Sequence, residues 1–204
     1  MSKPIEFYFD FSSPYGYLGS QRIQAVADKH QRTVDWHPIL LGAIFKVSGQ
    51  APLTTFPLKG DYAIMDFERS AREVELPYTH PKNFPIATVA AARTVWWAKE
   101  QADPELSAKT GDLVQAFFKA YYVDGKDISD TDTVLAVASS LGIDQDVLTA
   151  ALQEPAVKDR LKTAVNDALE KKVFGSPMMI VDGESFWGND RIEQVDRWLT
   201  RGGW

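Results

Sequence analysis

The chain has 204 residues, of which 45% are hydrophobic and 25% are charged, a composition typical of a globular protein with a substantial core. Its net charge is −6, with acidic and basic residues interleaved, which argues against a nucleic-acid partner. Its apolar runs fall short of the ~20 residues that a membrane span needs and its start lacks a signal-peptide pattern, so we expect no membrane association and a cytoplasmic location.

The first 40 residues follow the order strand, helix, strand. In residues 4–11 every second side chain is strongly apolar, which predicts a strand. Apolar residues recur at helical spacing over residues 16–30, and residues 33–40 are rich in β-branched and aromatic types that favour a second strand. Pro38 predicts that this strand ends near a margin of the sheet. Strands joined in this way pair in parallel.

Residues 42–172 predict helices and loops without strands. Residues 42–60 contain glycine and proline breaks, which predict a loop or a short helix followed by a loop. Helical spacing follows in six segments, which are 61–74, 84–102 with Pro85 at its start, 112–122, 129–142, 144–153 and 154–172.

The chain then returns to strands. Residues 176–188 form two short apolar runs around Asp182-Gly183, a strong signal for a tight hairpin, and residues 189–200 predict a final amphipathic helix. This order of elements predicts an α/β protein with the thioredoxin topology and an inserted helical domain. We expect residues 1–41 and 173–204, with part of the 154–172 helix, to form the thioredoxin-like domain and residues 42–172 to form the insertion.

Cysteine is absent from the sequence. Its absence excludes disulfide bonds, cysteine nucleophiles and thiolate metal sites, so any thiol chemistry needs a thiol from another molecule. The three histidines, His30, His37 and His80, lack metal-binding spacing, and we assign no metal site.

Ser12, Ser13 and Pro14 stand where the first strand runs into the first helix. A serine here is suited to cap the helix and Pro14 suits the first helical turn, so a well-made helix start accounts for the motif by itself. A functional reading is also open, because helix N-termini hold anions and lower thiol pKa values. A bound thiolate in front of Ser13 would meet both the helix dipole and a hydroxyl donor.

Two further motifs lie near the end of the chain. Ser176-Pro177 precedes a strand: either a trans proline begins an edge strand, or a cis bond turns the backbone groups of Ser176 towards an extended peptide ligand. Asn189 and Asp190 open the last helix, where Asp190 is suited as a cap and as an acidic residue of the first turn. Alternatively, these two side chains hold the α-amino and α-carboxylate groups of a ligand.

Residues 7–23, 40–52, 59–71 and 171–192 together resemble the 2-hydroxychromene-2-carboxylate isomerases and the related kappa-class glutathione transferases, in the DsbA-like branch of the thioredoxin superfamily. The V-F-G-x-P and W-G-N-D-R motifs of the last segment are the most specific. Redox-active DsbA-like relatives carry C-P-x-C where this chain has Ser-Pro-Tyr-Gly at residues 13–16, which excludes a dithiol oxidoreductase.

The resemblance implies a glutathione site. In it, Ser13 hydrogen-bonds the glutathione sulfur and favours its thiolate. Ser176, before the family's cis-proline at Pro177, pairs its backbone with the cysteinyl part. Asn189 and Asp190 hold the γ-glutamyl end.

The resemblance also implies a substrate side. Lys46 is similar to the substrate-facing lysine of the isomerases, one residue out of register, and Gln50 stands where the family commonly has asparagine. Lys59 and Tyr62 lie in a further family segment without an assigned role, and both lysines are also compatible with plain solvated charges.

The implied activity is a glutathione-dependent cis–trans isomerisation of an aromatic enone acid by transient thiolate addition, with Lys46 stabilising the enolate. Two alternatives stay open: a kappa-type glutathione transferase, in which the thiol remains attached, and a non-catalytic thioredoxin-fold module that binds glutathione. The family is usually dimeric, so the resemblance implies a homodimer.

Overall fold

A four-stranded mixed sheet organises residues 3–204, the part of the chain that our computed structural model describes. The strands are β1 (Ile5–Phe9), β2 (Val34–Pro38), β3 (Met178–Val181) and β4 (Glu184–Trp187), in the spatial order β2-β1-β3-β4. β1 pairs in parallel with β2 and antiparallel with β3, and β4 closes a hairpin on β3. The predicted strands, the parallel pair and the place of β2 at the margin are therefore confirmed.

Asp182 and Gly183 make the turn of the hairpin. Both have positive φ, 54° and 94°, which is the backbone of a two-residue turn that matches the twist of the strands. Glycine adopts this conformation without steric cost and aspartate tolerates it better than most residues do. The hairpin prediction is confirmed.

β1 is buried on both faces because it lies inside the sheet, between β2 and β3. Phe7 and Phe9 pack into the main core, whereas Tyr8, which alternation places on the opposite face, packs with Ile44 and Val165. Helices thus cover both sides of the sheet, as in α/β proteins.

Ten α-helices lie among the described residues. α1 (Pro14–Lys29) connects β1 to β2. The other nine are α2 (Leu41–Ser48), α3 (Lys59–Glu73), α4 (Val89–Lys99), α5 (Pro104–Ala108), α6 (Thr110–Tyr122), α7 (Thr131–Ser140), α8 (Gln145–Gln153), α9 (Pro155–Glu170) and α10 (Ile192–Arg201). Single 3₁₀ turns occupy Leu53–Thr55 and Asn189–Arg191. No helix among residues 3–204 is both long enough and apolar enough to span a membrane.

The predicted start of α4 is wrong. Helical structure begins at Val89 rather than at residue 84, and the Phe84–Pro85 bond is cis. The backbone N–H of Ile86 donates to Ser12 Oγ and the hydroxyl of Thr88 donates to Asp10, so long-range hydrogen bonds hold residues 84–88 out of the helix. α5 is not predicted from the sequence either, because its five residues are too few to show a period.

The helices that follow β2 share one core with the sheet. Phe118 on α6 lies 5.4 Å from Phe9 and 4.9 Å from Phe11 between ring centroids, and Phe117 packs edge-on against Phe11. Tyr17 on α1 stacks on Tyr122. The division into a thioredoxin-like part and an insertion stays a prediction.

Replacement of Phe118 by alanine tests this shared core. Because the ring is fully buried, we expect Phe118→Ala to lower the free energy of unfolding by about 3–5 kcal/mol. Val147→Ala, at a residue that is 55% exposed on α8, is the matched control and should change it by less than about 0.5 kcal/mol. Urea denaturation measures both; similar losses in the two variants would contradict the packing described.

Candidate active site

The joint between β1 and α1 is a capped helix start. Ser13 is the N-cap of α1: its Oγ accepts from the backbone N–H of Gly16 at 3.0 Å, and Pro14 is the first helical residue. The cap reading of this motif is therefore confirmed. The side chain is nevertheless placed for a second role, because Ser13 also lines a large cavity in front of the helix.

Asp10, the first residue after β1, is buried, and its carboxylate accepts three hydrogen bonds. Its Oδ1 accepts from the backbone N–H of Ser12 at 2.9 Å and from the hydroxyl of Thr88 at 2.7 Å. Its Oδ2 accepts from the backbone N–H of Leu41, the first residue of α2, at 2.7 Å. One carboxyl thus joins the β1–α1 joint to the starts of α2 and α4. Sequence reasoning missed this role, since Asp10 reads there only as a polar residue in a strand.

Burial raises the pKa of Asp10 above its ordinary value, and the hydrogen bonds from Ser12, Leu41 and Thr88 offset only part of that effect. No cation forms an ion pair with Asp10 within residues 3–204. Neutral donors alone therefore stabilise its charge.

Ser176, which lies near the other end of the sequence, contacts the segment between β1 and α1. Its Oγ accepts from the backbone N–H of Asp10 and its carbonyl accepts from the hydroxyl of Ser13, both at 3.0 Å. A β-carbon at Gly16 would lie only 2.8 Å from Ser176 Oγ, so this contact requires glycine. The Ser176–Pro177 bond is cis, and Pro177 is buried beside Gly19 rather than lining the cavity.

The cavity brings together six of the seven predicted site residues. It has a volume of about 1160 Å³ and is lined by the β1–α1 joint, α2 and the segment after it, α3, residues 84–86, residues 175–176 and the segment after β4. The six are Ser13, Lys46, Gln50, Ser176, Asn189 and Asp190. Pockets for one small ligand are usually ~300–1,000 Å³, so there is room for two small molecules side by side.

Asn189 and Asp190 follow β4 closely in the chain and line the cavity. The side-chain amide of Asn189 has no hydrogen-bond partner among the described residues, so its donors and acceptor are available to a ligand. Asp190 does not cap a helix: its carboxylate pairs with Arg191 at 2.6 Å instead. Asp190 is therefore not a cap, but it is the acidic residue of the first turn, in the 3₁₀ turn Asn189–Arg191.

Two lysines, one on α2 and one at the start of α3, contribute positive charge to the lining of the cavity. Lys46 and Lys59 both line the cavity, and neither forms an ion pair with a carboxylate of the described residues. Lys59 lies over the ring of Phe56, 5.7 Å from its centroid. Aromatic rings and two unpaired cations on one wall suit an aromatic acid.

Tyr15 and Asp66 tie α1 to α3 across the cavity and were missed by sequence reasoning. The hydroxyl of Tyr15 donates to Asp66 Oδ2, and Arg69 donates to Oδ1. Burial by itself would raise the pKa of Asp66, but these hydrogen bonds outweigh it and hold the pKa below its ordinary value. The contact fixes the distance between the helix start and the lysine-bearing wall.

Comparisons with known proteins identify the family and agree with the fold. The family model described as a DSBA-like thioredoxin domain matches residues 4–200. The 2-hydroxychromene-2-carboxylate isomerase of Sphingobium xenophagum is 29% identical over 98% of this chain and 99% of its own length. Human glutathione S-transferase kappa 1 is 25% identical over 98% and 94%. A solved 2-hydroxychromene-2-carboxylate isomerase superposes with a TM-score of 0.85 at 27% identity, over 97% of this chain and 94% of the other.

Asp10→Asn tests the buried carboxyl through the pH dependence of stability. Since the folded-state pKa of Asp10 is raised above its unfolded value of ~3.9, its contribution is fully present below that value and is lost as the pH rises through the folded pKa. Asparagine does not titrate. We therefore expect the unfolding free energy of wild type minus that of the variant to fall from pH 4 upwards in urea denaturation. A difference that grew with pH would contradict the assignment.

Proposed function

The chain belongs to the family of DSBA-like thioredoxin domains, and from this premise we propose that it is a glutathione-dependent isomerase. Its proposed substrates are aromatic enone acids similar to 2-hydroxychromene-2-carboxylate. Relatives named as isomerases of this compound and as kappa glutathione transferases, each matched over nearly the whole chain, support an enzyme of this kind.

One observation carries the proposal: residues more than a hundred positions apart in the sequence meet around one cavity, in a chain without cysteine. The start of α1 and Ser13 suit an anion, Asn189 offers an unpaired amide, and Lys46 on α2 lines the same cavity. A thiol cofactor fits this donor set, because helix N-termini and hydroxyl donors favour a thiolate.

Glutathione is proposed to bind along the β-sheet side of the cavity. Ser13 lies at the thiol, the backbone of Ser176 pairs with the cysteinyl part, and Asn189 with Asp190 holds the γ-glutamyl end. Pro177 holds Ser176 in position without contacting the ligand itself. Because the hydroxyl of Ser13 rotates freely about its Cβ–Oγ bond, it can turn its hydrogen from the Ser176 carbonyl to an anion in front of the helix.

The substrate is proposed to lie between this site and α2. When bound, glutathione would supply a thiol that adds reversibly to the conjugated double bond of the substrate's ring-opened enone form, which arises when the hemiketal C–O bond breaks; the single bond so formed could rotate before the thiol leaves unchanged. Lys46 stabilises the negative charge that develops on the substrate oxygen, an interaction that grows in the transition state. Gln50 hydrogen-bonds the substrate beside it.

We also propose that the protein works in the cytoplasm as a homodimer. Val47, Leu58 and Met65, on and between α2 and α3, are 70%, 93% and 49% exposed. Exposed apolar side chains concentrated in one segment support an interface there.

A spectroscopic assay of 2-hydroxychromene-2-carboxylate tests the activity. We expect conversion to the open-chain benzylidenepyruvate isomer with catalytic amounts of glutathione and little or none without it. A product that retains the mass of glutathione would favour the kappa-type transferase. Calorimetric binding without turnover would favour the non-catalytic module, and no binding at millimolar glutathione would refute all three.

Ser13→Ala tests the residue placed at the thiol. Loss of a hydrogen bond to a charged group is worth roughly 1.5–3 kcal/mol, so we expect turnover at neutral pH to fall about 10- to 100-fold, while the affinity for glutathione with a protonated thiol, measured near pH 5, changes little. The variant also loses a helix cap, which costs about 1 kcal/mol of stability. Asp130→Ala is the matched control: it removes the cap of α7, away from the cavity, and should leave turnover unchanged. Full activity of Ser13→Ala would remove this residue from the mechanism.

A further inference from the structure

The hydroxyl of Ser13 is engaged on both sides in the structure. It accepts a hydrogen bond from the N–H of Gly16 and donates its single hydrogen to the carbonyl of Ser176, each at 3.0 Å. The side chain is only 6% exposed. Any hydrogen bond from Ser13 to a ligand therefore requires that the bond to Ser176 be broken first.

The hydroxyl of its neighbour Ser12 has a different set of hydrogen bonds. Ser12 Oγ accepts from the backbone N–H of Ile86 at 3.2 Å, and its own hydrogen has no acceptor among residues 3–204. Ser12 is partly exposed and lines the same cavity. A hydroxyl that already accepts from the protein and still has a free hydrogen is a ready donor to a ligand.

The backbone holds Ser12 firmly in this place. Its N–H donates to Asp10 Oδ1 at 2.9 Å, while the Ile86 bond anchors the side chain from the opposite wall. Three residues further on, the backbone N–H of Tyr15 in the first turn of α1 has no acceptor in the described part of the chain. A free O–H donor on Ser12 and a free N–H donor on Tyr15 therefore both belong to cavity-lining residues at the positive end of a 16-residue helix.

We infer that Ser12 is a second hydroxyl donor to the thiolate of bound glutathione, an inference that rests on the proposed function. In this arrangement Ser12 donates without giving up a protein hydrogen bond, whereas Ser13 exchanges one acceptor for another. The pKa of the bound thiol therefore depends on Ser12 at least as strongly as on Ser13.

The pKa of bound glutathione in the wild type, Ser12→Ala, Ser13→Ala and Ser12→Thr tests this inference. Ultraviolet difference absorbance of the thiolate, recorded from pH 5 to 10, measures it without any turnover. We expect a bound-thiol pKa below the free value of ~8.5 in the wild type. In Ser12→Ala it should rise by about one unit, at least as far as in Ser13→Ala, and Ser12→Thr, which keeps the hydroxyl, should restore it.

S-methylglutathione separates this role from a merely structural one. The thioether forms no thiolate, so calorimetry should give the same affinity for it in wild type and Ser12→Ala, while Ser12→Ala binds glutathione about tenfold more weakly at pH 8. Equal losses for both ligands, or a bound-thiol pKa that Ser12→Ala leaves unchanged, would overturn the inference. Absence of glutathione binding by the wild type would instead refute the proposed function.

Discussion

The hydrogen bonds of Asp10 are the constraint on which the architecture of the cavity depends. Its carboxyl is buried without an ion-pair partner, and burial of a charged or polar group is unfavourable unless hydrogen bonds satisfy it. The three donors that satisfy it belong to the β1–α1 joint, the start of α2 and the residue before α4. Its backbone N–H and C=O bind Ser176 and Ser13 in addition. The loss of any of these contacts would leave a buried polar group unpaired.

The result is a site made from two kinds of structure. The sheet and α1 contribute a rigid floor, where hydrogen bonds between the hydroxyls of Ser13 and Ser176 and nearby backbone groups hold the capped helix start in place. The segment from α2 to α3 contributes a wall with exposed lysines and aromatic rings, held to α1 by the contact between Tyr15 and Asp66. The rigid side, formed by the sheet and α1, is suited to a cofactor that is the same in every reaction. The side formed by the separate segment from α2 to α3 is suited to a substrate that varies. The proposed isomerase needs both.

Much of this was predictable from the sequence because it follows local rules. The alternation of residues 4–11, the Asp182-Gly183 turn and the helical periods indicated the strands, the hairpin and most helices, and the family motifs indicated which residues line the cavity. What could not be predicted depends on contacts between distant residues. The start of α4 is shifted by hydrogen bonds from Ile86 and Thr88 to the joint, and the role of Asp10 exists only when three chain segments meet. The spacing of apolar residues along the sequence does not indicate such contacts.

A structure of the protein with bound glutathione would show directly where the thiol lies. We expect the sulfur at the start of α1, within hydrogen-bond distance of the hydroxyls of Ser12 and Ser13, with the tripeptide backbone beside Ser176 and its γ-glutamyl end at Asn189. A sulfur that pointed away from α1, or a tripeptide bound outside the cavity, would contradict this expectation.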